Sequence, residues 1–208
     1  MGLYQDYSND KARVWIWKYD ENEKMDINKL LTAQEYQKTS RYHPKKIAEL
    51  LMVRHMLHQL LPGYKILYKK NGEPYLEPAD YDISISHSFP LVAIAISDRK
   101  IGIDLERVQD KILKIKHKFI LDEFSFIEDD KEKDYLTAIW CVKESLYKLH
   151  HSKFWSLKRN YKVEAFDLQN LDSVACKVYD ETFSDNFCAQ LIRVEDFFFC
   201  IVIDSPGD

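Results

Sequence analysis

Two carboxylates stand two residues apart in the segment Ile101-Gly102-Ile103-Asp104-Leu105-Glu106. If this segment is a β-strand, Asp104 and Glu106 lie on the same face with their α-carbons roughly 6.6 Å apart. Carboxylates at that spacing can converge on one cation, and left bare at about 4 Å they would repel by about 4 kcal/mol at an effective dielectric of about 20. The alternative is an amphipathic strand with a solvated acidic face, and taken alone the pair favours this simpler interpretation.

A second group of chemically capable residues lies in the segment Trp140 to Lys148. Trp140, Glu144 and Lys148 are four residues apart, so on a helix they form one stripe. One interpretation is an exposed Glu–Lys pair that contributes about 0.3 kcal/mol. The stripe begins with a tryptophan and has apolar neighbours (Ile139, Val142 and Leu146), which favours a functional pair equally well.

Two further features suit a phosphorylated ligand. The alternating segment Asp82 to Ser88 ends in Ser86-His87-Ser88, and small hydroxyls with an imidazole can bind phosphate oxygens, although strand polarity followed by a turn is the simpler explanation. Basic residues cluster in the preceding helical region, which suits an anionic small ligand, an acidic protein surface or merely a solvated face. They are Lys38, Arg41, Lys45, Lys46 and Arg54.

The elements that position these residues alternate between helical and strand patterns. Thr32 and Glu35 form a capping box, Pro44 begins a helix that ends at Pro62-Gly63, and Asn71-Gly72 predicts a turn. Residues 109 to 150 are predicted to be helical. The predicted strands are 13–18, 83–86, 91–96, 101–106, 161–166, 175–179, 187–193 and 197–203. Both halves run helix before strands, which predicts an α+β fold of two similar lobes, residues 1–105 and 106–208.

Composition excludes several classes of protein. The chain has 208 residues, 46% of them hydrophobic, and a net charge of −4, so it can bury a core and has no overall basic field for nucleic acid. Its apolar runs, such as Leu91 to Ile96, are too short for a membrane span, and Met1 to Asp6 lacks the pattern of a secretory signal. The four cysteines show no metal-binding spacing and are typical of a reducing cytoplasm. Dinucleotide-binding, P-loop, zinc-protease and EF-hand motifs are absent from the sequence.

Taken together and in order, four segments resemble motifs of the 4'-phosphopantetheinyl transferase superfamily, in the monomeric type that activates surfactin synthetase. The family patterns are xGKPxL, SxSH, GIDxE and WxxKExxxK. The corresponding segments here are Asn71 to Leu76, Ser84 to His87, Gly102 to Glu106 and Trp140 to Lys148. Two departures stand out: Glu73 replaces the usual lysine, and His150 to Trp155 replaces a segment that often contains glycine.

The resemblance implies a fold and a reaction. It implies a pseudo-two-fold pair of α+β lobes with the active site between them, and a monomeric enzyme. Such enzymes transfer 4'-phosphopantetheine from coenzyme A to a serine of an apo acyl or peptidyl carrier protein, need Mg²⁺, and release adenosine 3',5'-bisphosphate. An alternative is a homologue that binds coenzyme A or carrier proteins without catalysis, and Glu73 is the feature that favours it. An unrelated metal-dependent phosphodiesterase is a further alternative, which hydrolysis of coenzyme A without an acceptor would favour.

The resemblance also assigns roles to individual residues. Asp104, Glu106 and Glu144 match the Mg²⁺ ligands, and Glu144 also matches the general base that takes the serine proton. Lys148 matches the lysine that acts on the leaving phosphate, and with Asp104 it is expected to contact coenzyme A. The other residues expected to bind coenzyme A are Ser86, His87, Arg54 and, more loosely matched, Arg41.

Overall fold

The structure is a computed structural model that describes residues 2–22 and 25–204. Its contacts divide the chain into two compact units between Asp98 and Arg99. Both units combine helices with antiparallel sheets, which confirms the α+β prediction. The predicted division between residues 105 and 106 falls inside a strand, Ile101–Arg107, that pairs along its whole length with Phe197–Ile203 of the second unit. The pseudo-two-fold relation between two similar lobes stays a prediction.

The described residues of the first unit form a four-stranded sheet, a separate hairpin and three helices. The sheet has the strand order β1-β2-β6-β5, and β3 pairs with β4. The elements in chain order are β1 (Leu3–Asp6), β2 (Ala12–Lys18), α1 (Ile27–Leu30), α2 (Ala33–Thr39), α3 (Pro44–Leu60), β3 (Lys65–Tyr68), β4 (Pro74–Glu77), β5 (Asp82–Ser88) and β6 (Leu91–Ser97).

Helix α3 supplies much of the core of this unit. It begins at Pro44, where the missing N–H of proline costs nothing, and it ends before the turn that contains Gly63. Met52 and Met56 of α3 are fully buried and pack with Val92 and Ile94 of the sheet. The predicted capping box of α2 is confirmed, since the Glu35 N–H donates to the Thr32 hydroxyl over 3.2 Å and the Thr32 N–H donates to the Glu35 carboxylate.

The second unit packs a long helix on a five-stranded sheet of order β7-β11-β10-β9-β8. Helix α5 lies against β7 and β11, and its buried apolar side chains, among them Ile139, Val142 and Leu146, contribute to the core of this unit. The elements in chain order are β7 (Ile101–Arg107), α4 (Lys111–Ile115), α5 (Glu132–Leu149), α6 (Leu157–Asn160), β8 (Tyr161–Val163), β9 (Val174–Tyr179), β10 (Ser184–Val194) and β11 (Phe197–Ile203).

The predicted helical region from 109 to 150 is interrupted in the structure. Short 3-10 turns at 116–118, 122–126 and 129–131 separate α4 from α5. The interruption has a local cause, because Phe119 and Ile120 are buried while the carboxylate of Glu123 accepts the backbone N–H of Leu121, two residues before it. Within residues 2–22 and 25–204, no helix combines the length and the apolar composition that a membrane span requires.

Candidate active site

The candidate active site lies where α5 crosses β7 in the second unit. Gly102 shares a strand face with Asp104 and Glu106, as the alternation predicts. A Cβ atom at Gly102 would lie 2.0 Å from the backbone oxygen of Ser145 and 2.9 Å from Cβ of Leu149. Only glycine therefore allows α5 to lie this close to the strand. The close approach brings the side chains of α5 within hydrogen-bonding distance of the strand acids.

Lys148 makes the most direct connection between helix and strand. Its Nζ lies 2.7 Å from Oδ1 of Asp104 and donates to the backbone oxygen of Ile103 over 2.9 Å. The Asp104 side chain is only 6% exposed, whereas that of Lys148 is 28% exposed. A buried carboxylate needs such a partner because burial of an unpaired charge costs several kcal/mol, on the order of 5. The stripe on α5 thus faces the carboxylates of β7.

Trp140 begins the same stripe and contacts the other strand acid. Its indole Nε1 donates to Oε1 of Glu106 over 3.0 Å. In the sequence, Trp140 indicates only apolar surroundings, and this hydrogen bond was not predicted. The i,i+4 spacing of Trp140, Glu144 and Lys148 could have predicted it, because this spacing places both ends of the stripe on one helix face. Those two ends contact Glu106 and Asp104, which lie two residues apart on the strand.

Two carboxyl groups of this cluster have pKa values well above those usual for glutamate. The pKa of Glu144 rises from its ordinary value of 4.5 to about 7, because the side chain is largely desolvated and because the charge of Asp104 repels a second negative charge. The pKa of Glu106 also rises to about 7, again through burial first and Asp104 second, against the opposing effects of the Trp140 hydrogen bond and Lys148. Near neutral pH these acids therefore hold protons for part of the time.

The donor atoms of these acids are of the type that a hard divalent cation such as Mg²⁺ prefers. Asp104, Glu106 and Glu144 all offer carboxylate oxygens, and burial followed by the charge of Asp104 raises the pKa of the two glutamates. In the part of the chain that the structure describes, however, no group of three or more His, Cys, Asp or Glu side chains is arranged so that it could hold a metal ion. The Mg²⁺ ligand set of Asp104, Glu106 and Glu144 thus stays a prediction.

A cavity of about 480 Å³ lies in the first unit beside Arg54. Arg54 is only 7% exposed, donates from Nε to Glu35 over 3.1 Å, and lies over the ring of Tyr68. Its Nη1 is buried and has no hydrogen-bond partner among the described residues. The rest of the lining combines basic, aromatic and aliphatic side chains, and its basic and aromatic members are Lys29, Lys38, His58, Lys65, Tyr64 and Tyr75. The cavity is therefore suited to an anion that carries a flat or apolar group.

The remaining predicted ligand-binding residues also belong to the first unit. Ser86 is buried on β5, and His87 follows it with an exposed ring whose Nδ1 lies 3.3 Å from a carboxylate oxygen of Glu49. Arg41 is exposed just after α2. Ser86, His87 and Arg41 do not line the Arg54 cavity. The roles of Arg54, Ser86, His87 and Arg41 in binding coenzyme A stay predictions.

Comparison with known proteins identifies the class to which the candidate site belongs. Residues 100–202 match the model of the 4'-phosphopantetheinyl transferase superfamily. The match contains the whole β7–α5 cluster and confirms the resemblance inferred from the motifs.

Three curated relatives agree with this assignment. The 4'-phosphopantetheinyl transferase gsp of Aneurinibacillus migulanus is 32% identical over 111 residues, which are 49% of this chain and 46% of the relative. A 4'-phosphopantetheinyl transferase of Bacillus pumilus is 28% identical over 48% of this chain and 46% of its own length. One of Bacillus subtilis is 29% identical over 57% of this chain and 59% of its own. The chain thus matches about half the length of these relatives.

Proposed function

We propose that this protein transfers 4'-phosphopantetheine from coenzyme A to a serine of an apo acyl or peptidyl carrier protein. The observation that carries the proposal is the cluster of Asp104, Glu106, Glu144 and Lys148 beside Trp140, in a region that matches the model of the transferase superfamily. The relatives named above are 4'-phosphopantetheinyl transferases, which supports the same reaction type here.

The transfer exchanges one phosphorus–oxygen bond for another. The serine oxygen forms a bond to the phosphorus that carries pantetheine, and the bond from that phosphorus to the bridging oxygen breaks. Adenosine 3',5'-bisphosphate leaves with the bridging oxygen, and the serine proton passes to a base. Reactions of this type depend chiefly on positioning and on stabilisation of phosphate charge.

Glu144 is the proposed base. A general base is most effective when its pKa lies near the working pH. In the metal-free site, burial and the charge of Asp104 raise the pKa of Glu144 to about 7, and bound Mg²⁺ would lower it. Its carboxylate can then take the serine proton, directly or through a water molecule. Lys148 is proposed to stabilise the negative charge that develops on the leaving phosphate.

Mg²⁺ is proposed to be held by Asp104, Glu106 and Glu144, and when bound it would neutralise charge on the phosphate oxygens. The chain's own contribution is to orient these ligands. Lys148 fixes Asp104 through a hydrogen bond to Oδ1, and the Trp140 indole fixes Glu106 through Oε1. Donors of this kind restrict the rotation of a carboxylate and therefore favour one coordinating geometry.

The phosphorylated nucleotide end of coenzyme A is proposed to bind through the first unit. The cavity beside Arg54 offers a buried guanidinium nitrogen for a phosphate and tyrosine rings for a base. Ser86, His87 and Arg41 are proposed as further phosphate contacts. Glu73, where the family has a lysine, lies 2.8 Å from the ammonium of Lys69, so its negative charge is compensated and is less repulsive to phosphate.

Mass spectrometry of purified apo carrier proteins, incubated with coenzyme A and Mg²⁺, tests the proposal. We expect a mass gain of one phosphopantetheine on the acceptor serine, and no gain with Glu144→Gln. Lys133→Met is a matched control on the same helix, because Lys133 forms an exposed ion pair with Asp110. Binding of coenzyme A without transfer to any carrier would favour the non-catalytic alternative, and hydrolysis of coenzyme A without an acceptor would favour a phosphodiesterase.

A further inference from the structure

A fully buried ion pair lies on the side of α5 that the proposed chemistry does not use. The Lys143 side chain is 0% exposed and that of Glu123 is 2% exposed, and their charged atoms are 2.6 Å apart. Lys143 also donates to the backbone oxygen of Phe119 over 2.7 Å. Buried ion pairs contribute little net stability, because desolvation of both charges offsets their attraction. A contribution to the stability of the fold therefore does not by itself account for this buried pair.

The pair joins three segments of the second unit. Glu123 accepts the backbone N–H of Leu121 over 2.9 Å and that of Val163, on β8, over 3.4 Å. Together with Lys143 on α5, these hydrogen bonds fix the segment from Phe119 to Glu123 against the helix and the sheet. The backbone N–H groups of Phe119 and Ile120 donate to the oxygen of Lys116, and the side-chain contacts of Lys143 and Glu123 add the connections to α5 and β8.

Phe119 links this buried pair to the candidate active site. Its backbone oxygen accepts from Lys143, and its ring packs edge-on against the indole of Trp140, with ring centres 5.0 Å apart. The same indole donates to Glu106. Phe119 is itself fully buried, so a shift of its backbone would move the ring that supports Trp140.

We propose that Lys143 and Glu123 form a positioning pair that acts through Phe119 to hold the Trp140 indole against Glu106. The inference rests on the proposed function, because that function requires the Glu106 carboxylate to be held in one orientation. It predicts that loss of the pair changes the chemical step while coenzyme A still binds. A pair with a merely structural role would change the stability of the protein and leave the activity of each folded molecule unaltered.

The test uses the double variant Lys143→Met/Glu123→Gln. Lys143→Met alone would leave an unpaired buried carboxylate and could unfold the protein, whereas the double change removes both charges and keeps an amide oxygen that can accept the Leu121 N–H. We expect kcat to fall about 10-fold or more, with the KM for coenzyme A changed less than about 2-fold. Lys133→Met, which loses only an exposed pair on α5, is expected to match the wild type.

Coupling to Trp140 is tested by combining changes. If the pair acts through Trp140, adding Lys143→Met/Glu123→Gln to Trp140→Phe lowers kcat little further, because that indole donor is already absent. Effects that multiply would overturn the proposed route. An unchanged kcat in the folded double variant would overturn the positioning role altogether.

A readout without catalysis separates this inference from the proposed function. The indole N–H resonance of Trp140, assigned by its absence in Trp140→Phe, reports the hydrogen bond to Glu106 in ¹⁵N-labelled protein. We expect it to shift in Lys143→Met/Glu123→Gln and to stay in place in Lys133→Met. An unmoved resonance would refute the inference even if the protein proves to be a transferase. A shift in a protein that transfers nothing would refute only the proposed function.

Discussion

Replacement of Glu144 by glutamine should abolish transfer and yet stabilise the metal-free protein at alkaline pH. The folded pKa of Glu144, about 7, lies above the ordinary value of 4.5 that the unfolded chain has. Folding therefore favours the protonated acid. The contribution of Glu144 to stability is full below about pH 4.5 and is lost as the pH rises through about 7. Glutamine keeps the size of the side chain and cannot ionise, so the variant avoids that loss.

The magnitude follows from the pKa shift. A rise from 4.5 to about 7 corresponds to roughly 3 kcal/mol at about 1.4 kcal/mol per pKa unit. Solvent at the partly exposed edge of the site reduces this, so we expect a gain of roughly 2 kcal/mol at pH 8.5. For a chain of this length the gain corresponds to a rise in Tm of roughly 4–8 °C.

Thermal unfolding of wild type and Glu144→Gln in EDTA, at pH 5 and pH 8.5, measures this effect. We expect only a small difference in Tm at pH 5, where the folded Glu144 is still neutral and the loss has just begun, and a clearly higher Tm for the variant at pH 8.5. Added Mg²⁺ should raise the Tm of the wild type at pH 8.5 more than that of the variant, because it binds the folded acids. A variant that is less stable at pH 8.5, or more stable by the same amount at both pH values, would refute the reasoning.

Three further predictions concern other parts of the molecule. Gly102→Ala should lower the Tm and the transfer rate, because the new methyl group would lie 2.0 Å from a backbone oxygen of α5; a loss below about 1 kcal/mol would show that the helix can move away. Arg54→Met should raise the KM for coenzyme A about 10-fold and leave kcat nearly unchanged, and an unchanged KM would exclude the cavity as the nucleotide site. Replacement of both Lys69 and Lys70 by alanine should raise the KM for coenzyme A, whereas Glu73→Lys should change this KM little. If Glu73→Lys instead lowers the KM and the double alanine variant does not change it, position 73 is an unused phosphate contact.

Local spacing predicted much of the β7–α5 cluster. The alternation in Gly102 to Glu106 placed two acids on one face of a strand, and the four-residue spacing of Trp140, Glu144 and Lys148 placed them on one face of a helix. The structure brings both ends of that stripe to the strand acids. The capping box at Thr32 was equally predictable, since both partners lie within one helical turn.

Interactions between distant segments could not be predicted in this way. Glu123 meets Lys143 only because the chain breaks its helical course around Phe119, and the apolar pattern of residues 109 to 150 did not show that break. Arg54 and Glu35 are likewise on different helices, so neither their ion pair nor the cavity beside them leaves a periodic signal. Short strands such as β3 and β4 lacked enough residues for an alternation to be visible, although the turn between them was predicted from Asn71-Gly72.

The buried thiol of Cys141 allows the rate at which α5 separates from β7 to be measured. Cys188 is exposed, whereas Cys141, Cys176 and Cys200 are buried, and burial raises the pKa of Cys141 well above its ordinary value. A thiol-specific reagent should therefore modify Cys188 at once and the buried cysteines only when the structure opens. The thiol of Cys141 donates to the backbone oxygen of Asp104, so its modification requires α5 to separate from β7. The slow rate of labelling at Cys141 would report how often the proposed catalytic helix leaves its strand, on a timescale that turnover measurements do not sample.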